Sequence, residues 1–179
     1  YSKILKITVD YFNEKKLPFY HKMTHEGYLR NLLVRKAYKT GEIIIDIITS
    51  TQIDFDLSEY VELLKKADYK GTLNGILHTV NDSLADAVIN EGTEVLYGKD
   101  YIYEELLGLK FKITPFSFFQ TNSLGAEVLY STAREFILGD NPDMLADKTV
   151  YDLYSGTGTI AQMLAPVCKK VVGVEIIEE

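Results

Sequence analysis

The chain has 179 residues, a length that accommodates one or two domains. With 46% apolar and 25% charged residues it has an ordinary globular composition, and no apolar run is long enough to span a bilayer, so no membrane partner and a cytoplasmic location are expected. A single cysteine, Cys168, leaves no internal disulfide framework and no cysteine-cluster metal site, in keeping with a reducing compartment.

The net charge of −7 speaks mildly against nucleic acid as a partner, but the charge is unevenly spread. Residues 1–50 carry nine Lys/Arg against five Asp/Glu, a balance of +4, and the remainder carries −11. The basic beginning could supply a phosphate-binding surface, with His21, Lys22, Arg30, Arg35 and Lys36 as its candidates; a plainly solvated face explains the same charges. His21 and His25, four apart, lack the apolar frame of a metal-binding helix, so no metal is expected. The chain opens without Met and closes at Glu178-Glu179, where a helix should follow a strand, and so reads as a segment of a longer protein.

In chain order, Ser2–Val9 fits either a strand or a short helix. Tyr28–Tyr38 and Glu42–Thr49 read as two strands joined across Lys39-Thr40-Gly41. Ser58 is a good N-cap for the helix Glu59–Lys66. Leu73–Val80 reads as a strand, and a polar, poorly periodic loop begins at Asn81. Tyr101–Leu106 and Leu109–Thr114 form a second hairpin around Leu107-Gly108. Hairpin-paired strands around a helix predict an α+β domain with an antiparallel sheet over residues 1–115.

The character changes near Pro115. Asn122 or Ser123 caps a helix over Ser123–Leu138, whose apolar positions Leu124, Val128, Leu129, Ala133, Phe136 and Ile137 recur at helical spacing. Then come a strand at Thr149–Leu153, a helix at Thr159–Val167 and a strand at Lys170–Val174. Residues 116–179 thus read as a second region containing the first βαβ unit of a Rossmann-like fold, cut short.

The most informative stretch is Asp152-Leu-Tyr154-Ser155-Gly156-Thr-Gly158, followed by Val171-Val-Gly-Val-Glu175. A strand, a glycine-rich turn and a helix bring backbone N–H groups together where a ligand can approach closely. Gly156-Thr-Gly158-Thr-Ile-Ala161 fits the loose dinucleotide pattern, a weak signal alone. Two acids sharpen it. Asp152 before the turn would repel a pyrophosphate but tolerate a cationic amino group. Glu175, seventeen positions after Gly158, can accept hydrogen bonds from both ribose hydroxyls. The pair favours S-adenosylmethionine over a pyrophosphate-containing cofactor; the bland alternative is a tight turn that binds nothing.

Phe118-Phe119-Gln120-Thr121-Asn122, the helix after it, Asp152–Gly158 and Val172-Gly-Val-Glu175 together resemble the RNA (uracil-5-)-methyltransferase family. Gly27-Tyr-Leu-Arg30, Thr40-Gly-Glu42 and Leu109–Pro115 extend the resemblance to its central domain. The Asp152–Ile160 run looks most like the RumA-like branch that acts on 23S rRNA. The resemblance implies an S-adenosylmethionine site formed by Gln120, Asp152, Tyr154, Ser155, Gly156, Gly158 and Glu175. In it Gln120 would reach the methionine end, Tyr154 would lie along the cofactor and Glu175 would hold the ribose. Each has a structural alternative: Gln120 could cap the next helix, Tyr154 could be one of many packing tyrosines, and Phe118 and Phe119 could be core. Phe116 reads as core. Thr159 stands where some members carry an Asn that touches the cofactor, which leaves that contact open.

The family adds a Cys thiolate to uracil C6, methylates C5 and removes the C5 proton with a base. The resemblance places both groups beyond residue 179, so no catalytic residue is expected in this chain. Cys168, between a helix and the next strand, lies at the wrong edge of the sheet for a nucleophile. The implied partner is RNA, 23S rRNA first and tRNA second; an upstream iron–sulfur cluster is a feature of many RumA-like proteins but not of this chain. Alone, the segment is expected to self-associate through its unpaired sheet edge.

Overall fold

Five isoleucines within Glu42–Thr49 set the centre of the larger sheet. In the computed structural model, which describes residues 1–85 and 87–176, this strand is buried on both faces, as a near-continuous apolar run requires. It is β2. It pairs antiparallel with β1 (Leu29–Lys36) and parallel with β3 (Thr72–Val80), which pairs antiparallel with β4 (Thr93–Gly98). The order is β1-β2-β3-β4. The sheet is therefore mixed, which corrects the expected antiparallel one. Parallel neighbours need a crossover, and the segment between β2 and β3 supplies it through α2 (Ser58–Lys66).

The chain divides into two compact units: residues up to Ile102 with Thr114–Phe116, and Tyr103–Ile113 with the residues from Ser117 on. In the first, α1 (Ser2–Glu14) and α2 cover one face of the sheet. The open choice at Ser2–Val9 resolves as a helix because Ile4, Thr8, Tyr11 and Phe12 fall on one helical face and are buried. Phe12 and Tyr60 lie with ring centroids 5.0 Å apart, and both join Ile43, Ile45, Ile47 and Ile76 in the core. Thr8 Oγ1 and Tyr60 OH are hydrogen-bonded at 2.7 Å, so the buried hydroxyls are paired. Lys15 and Tyr11 both reach the Glu59 carboxylate, tying α1 to α2.

Two local expectations change. Ser58 opens α2 instead of capping it: its N–H and hydroxyl both donate to Asp56 Oδ1, at 2.9 and 2.6 Å. The polar stretch after Asn81 contains β4, unmarked in the sequence because it is an exposed edge strand with only Leu96 partly buried.

In the second unit, β5 (Ile102–Leu106) and β6 (Leu109–Ile113) form the expected hairpin, with Leu107 and Gly108 both at positive φ. The hairpin is pinned to α3 (Ser123–Leu138). Ser123 Oγ donates to the buried Glu104 Oε2 at 2.7 Å, Leu107 N–H donates to Glu127 Oε1 at 2.8 Å, and Leu106, Phe111 and Ala126 form a small core. Of the two capping candidates Asn122 does the work, accepting from Gly125 N–H at 2.9 Å.

The apolar stripe expected on α3 is largely uncovered: Phe136 is 83% exposed, and Leu124, Val128, Leu129 and Ile137 are also exposed. Beyond α3, β7 (Thr149–Asp152) and β8 (Lys170–Gly173) pair parallel, joined by α4 (Thr159–Leu164) and a 3-10 turn at Ala165–Val167. The helix expected after Glu178-Glu179 lies outside the described residues. No described helix is long and apolar enough to cross a membrane.

Candidate functional site

The loop Leu153–Gly158 leaves the carboxyl end of β7 and opens α4. Ser155 N–H donates to Val174 O at 3.1 Å, and Gly158 N–H donates back to Ser155 O at 2.7 Å, closing a tight turn. Gly156 and Gly158 sit at φ +49 and +73, a region side chains rarely enter. A Cβ at Gly156 would meet no heavy atom within 4 Å, so its outer face is open space.

Glu175 stands beside this opening, just past β8. Its Oε2 accepts from Gly156 N–H and its Oε1 from its neighbour Ile176 N–H, both at 2.8 Å. Asp152, the last residue of β7, accepts from Ala161 N–H at 3.1 Å and fastens the first turn of α4 to the strand. Both acids thus touch backbone donors of the strand-turn-helix unit. The sequence carries no direct mark of these two contacts, because register decides them.

Tyr154 projects outward and is 92% exposed. Ser155 is partly buried, and its hydroxyl lies near Gly173, where an added Cβ would come within 3.1 Å of it. Gln120 is partly buried just before α3, and the capping role open to it belongs to Asn122. The two phenylalanines before it separate: Phe119 packs on Phe111 with centroids 5.9 Å apart, whereas Phe118 is exposed. Phe116, read as core, is over a third exposed. Thr159 is buried, its hydroxyl 2.9 Å from that of Thr157. Cys168 Sγ donates to Leu164 O at 3.1 Å, at the start of β8 and away from its carboxyl end.

The basic candidates in the first unit fall into two kinds. Arg30 is structural: its guanidinium donates to the carbonyls of Asn81 at 2.7 Å and Ser83 at 2.8 Å and lies 4.1 Å from the Tyr20 ring centroid. Lys36 donates to Lys70 O. His21 and Lys22, together with Arg30 itself, line a cavity of about 580 Å³ with Tyr20, Leu84 and Val88, and His21 Nδ1 accepts from Thr24 N–H at 3.3 Å. His25 Nδ1 lies 3.3 Å from Tyr20 OH. Among the described residues no group of three or more His, Cys, Asp or Glu is arranged to hold a metal.

Throughout its length the chain is homologous to proteins named RNA methyltransferases, which bears out the resemblance seen in its motifs. A Clostridium tetani protein carrying that name is 59% identical over all 179 residues, and one from Caldanaerobacter subterraneus subsp. tengcongensis is 58% identical over the same span. Among solved structures, Pyrococcus abyssi tRNA (uracil-54, C5)-methyltransferase in complex with S-adenosyl-L-homocysteine matches with a TM-score of 0.70 and 26% identity, over 95% of this chain. The chain spans 38% of the Clostridium and Pyrococcus proteins and 39% of the Caldanaerobacter one. No protein-family model matches it.

Proposed function

We propose that this chain is part of an S-adenosylmethionine-dependent RNA (uracil-C5)-methyltransferase that makes 5-methyluridine and works in the cytoplasm. The observation that carries the reading is the Glu175 carboxylate held 2.8 Å from Gly156 N–H, at the carboxyl ends of the parallel pair β7/β8. In open α/β sheets ligands bind at that end. The β7-α4-β8 unit is, in this reading, the start of a Rossmann-like methyltransferase domain.

The donor set fits the cofactor. Glu175 offers carboxylate oxygens for ribose hydroxyls, Gly156 leaves room in front of the loop, and Tyr154 has its ring in the open beside it. Gln120 would take the methionine end. Ser155 and Gly158 would shape the turn, and Asp152 would hold α4 in place while adding negative charge suited to a cationic cofactor. When bound, the cofactor supplies an electrophilic methyl group on a sulfonium. The residues of this chain bind and orient it; the nucleophile and base belong elsewhere in the protein.

Residues 1–115 serve in this proposal as a central domain and 116–179 as the beginning of the cofactor domain. His21 and Lys22, beside the cavity edged by Tyr20 and Arg30, are the contacts proposed for RNA phosphates. The Asp152–Ile160 motif favours 23S rRNA as substrate. The Pyrococcus enzyme, which acts on tRNA, supports tRNA as the second reading.

The test is methyl transfer from labelled S-adenosylmethionine by the intact protein to unmodified 23S rRNA and to unmodified tRNA, with the product nucleoside identified. Label in 5-methyluridine of rRNA is the expected result, and label only in tRNA selects the second reading. No label in either RNA, from protein that binds the cofactor, overturns both in favour of a class I methyltransferase with a non-RNA substrate.

A further inference from the structure

Asp46 stands in the middle of β2 and is 1% exposed. Its face of the sheet is set by register: Leu33 on β1, Leu77 and Thr79 on β3, and Thr93 and Val95 on β4. On β1, register puts Arg35, two positions from Leu33, on that face, and Arg30, at the bulge between Leu29 and Asn31, lines one cavity with Asn31; register brings no charged residue of β3 or β4 to that face. His78 and Glu94 alternate to the opposite face, where they line one concavity with α2.

From Asp46 a line of hydroxyls runs outward. Asp46 Oδ2 is 2.9 Å from Thr79 Oγ1, which is 2.8 Å from Thr93 Oγ1, which is 3.0 Å from Asn90 Oδ1. Asn90 Oδ1 also accepts from Gly92 N–H at 3.0 Å, which fixes that atom as the amide oxygen. The line therefore ends on a pure acceptor. If Asp46 were ionised it would begin on one too, and two hydroxyl protons cannot fill three links between two acceptors. One more proton, on Asp46 Oδ2, fills them all: Asp46 donates to Thr79, Thr79 to Thr93, and Thr93 to Asn90. Asp46 Oδ1 is buried without a hydrogen-bond partner among the described residues, which a neutral carbonyl oxygen tolerates far better than a carboxylate oxygen does.

We propose that the fold holds Asp46 as a neutral carboxylic acid whose proton completes this chain, so that the edge strand β4 is locked while Asp46 is protonated and loosened when it ionises. Burial pushes the carboxyl up to about 6, against the weaker opposing pull of the Thr79 hydroxyl and N–H, which puts the change between mildly acidic and neutral pH. The outer end of the chain, Asn90, lies two residues from Val88 in the wall of the His21–Lys22 cavity, so the lock steadies that wall as well. This inference does not depend on the cofactor or substrate assigned above.

The test uses the full chain. The carbon-13 resonance of the Asp46 carboxyl is followed across pH, and amide exchange at Thr93–Val95, corrected for its chemical pH dependence, is compared with that of Asp46→Asn. The Asn variant donates to Thr79 at every pH. The expected result is a carboxyl that titrates well above the usual carboxylate range, with wild-type β4 protection falling on the order of tenfold from about pH 5 to about pH 8 while the variant stays flat. A carboxyl that titrates in the usual range overturns the proposal, as do parallel exchange profiles for the two proteins. The carboxyl titration alone decides the matter if the variant does not fold.

Discussion

Glu175 Oε2 lies 2.8 Å from Gly156 N, across nineteen residues of sequence, and this contact brings the second acid of the motif onto the glycine loop. The same carboxylate that accepts from the loop is the one proposed to accept from a ribose. Glu175→Ala removes both roles. Charge-assisted hydrogen bonds contribute about 1.5–3 kcal/mol each, so cofactor affinity is expected to fall roughly 10- to 100-fold. Titration calorimetry of the intact protein with S-adenosyl-L-homocysteine measures this. An unchanged Kd in Glu175→Ala would remove Glu175 from the site.

Asp152 has a different expected signature. Its contact with Ala161 N–H, at 3.1 Å, anchors the first turn of a six-residue helix that has no side-chain cap on its own N-cap residue. Asp152→Ala is expected to cost about 1–2 kcal/mol of stability, as loss of a cap does, and Asp152→Asn, which keeps an acceptor, a good deal less. Urea unfolding of the intact protein followed by circular dichroism separates the two.

Arg30 holds the segment after β3 by donating to two carbonyls while its flat face lies on Tyr20. A lysine cannot reproduce a planar fork stacked on a ring. Arg30→Lys is therefore expected to destabilise the Asn81–Ala85 segment nearly as much as Arg30→Ala. Limited proteolysis at Ser83–Ala85 should quicken several-fold in both variants. A lysine variant as resistant as wild type would show that charge alone suffices there.

His78 gives a pH dependence opposite in sign to that of Asp46. Burial pulls its imidazole below the usual value near 6.5, against the weaker opposing pull of Glu94, and Nε2 lies 2.8 Å from Thr49 Oγ1. The native state holds the ring neutral, so the unfolded chain takes up the proton first as pH falls. The stabilising contribution is present above about pH 6.5 and is lost on acidification through the lowered native pKa. His78→Gln should flatten that part of the profile in urea unfolding measured from about pH 5 to pH 8.

The uncovered apolar stripe of α3, with Phe118, Leu153 and Ile176 also exposed, makes a prediction about isolated pieces. Residues 116–179 alone retain two paired strands of a sheet with open edges and lack the β5/β6 hairpin that buries Ala126. They are expected to self-associate or to melt without a sharp transition. A monomeric, sharply two-state melt in sedimentation and calorimetry would contradict this.

Local patterns were legible from the residues alone. The alternation and turn chemistry around Lys39-Thr40-Gly41 and Leu107-Gly108 mark both hairpins. The Asp152–Gly158 motif marks the strand-turn-helix unit, because glycines at positive φ close the tight turn between β7 and α4. What the sequence left open depended on partners far along the chain. Ser2–Val9 became helical because the aromatic core beneath it rewards a helical face. β4 was hidden because an edge strand buries only one side chain in six and so shows no period. The sheet became mixed because a crossover through α2 returned the chain beside β2 in the parallel sense. Arg30 turned from a phosphate candidate into a clamp, and Asp46, one polar residue in a run of isoleucines, gained its meaning only when register set Thr79 and Thr93 in line with it. Sequence specifies which groups a segment carries; the atoms they meet depend on strand register and helix docking, which are settled by burial summed over the whole fold.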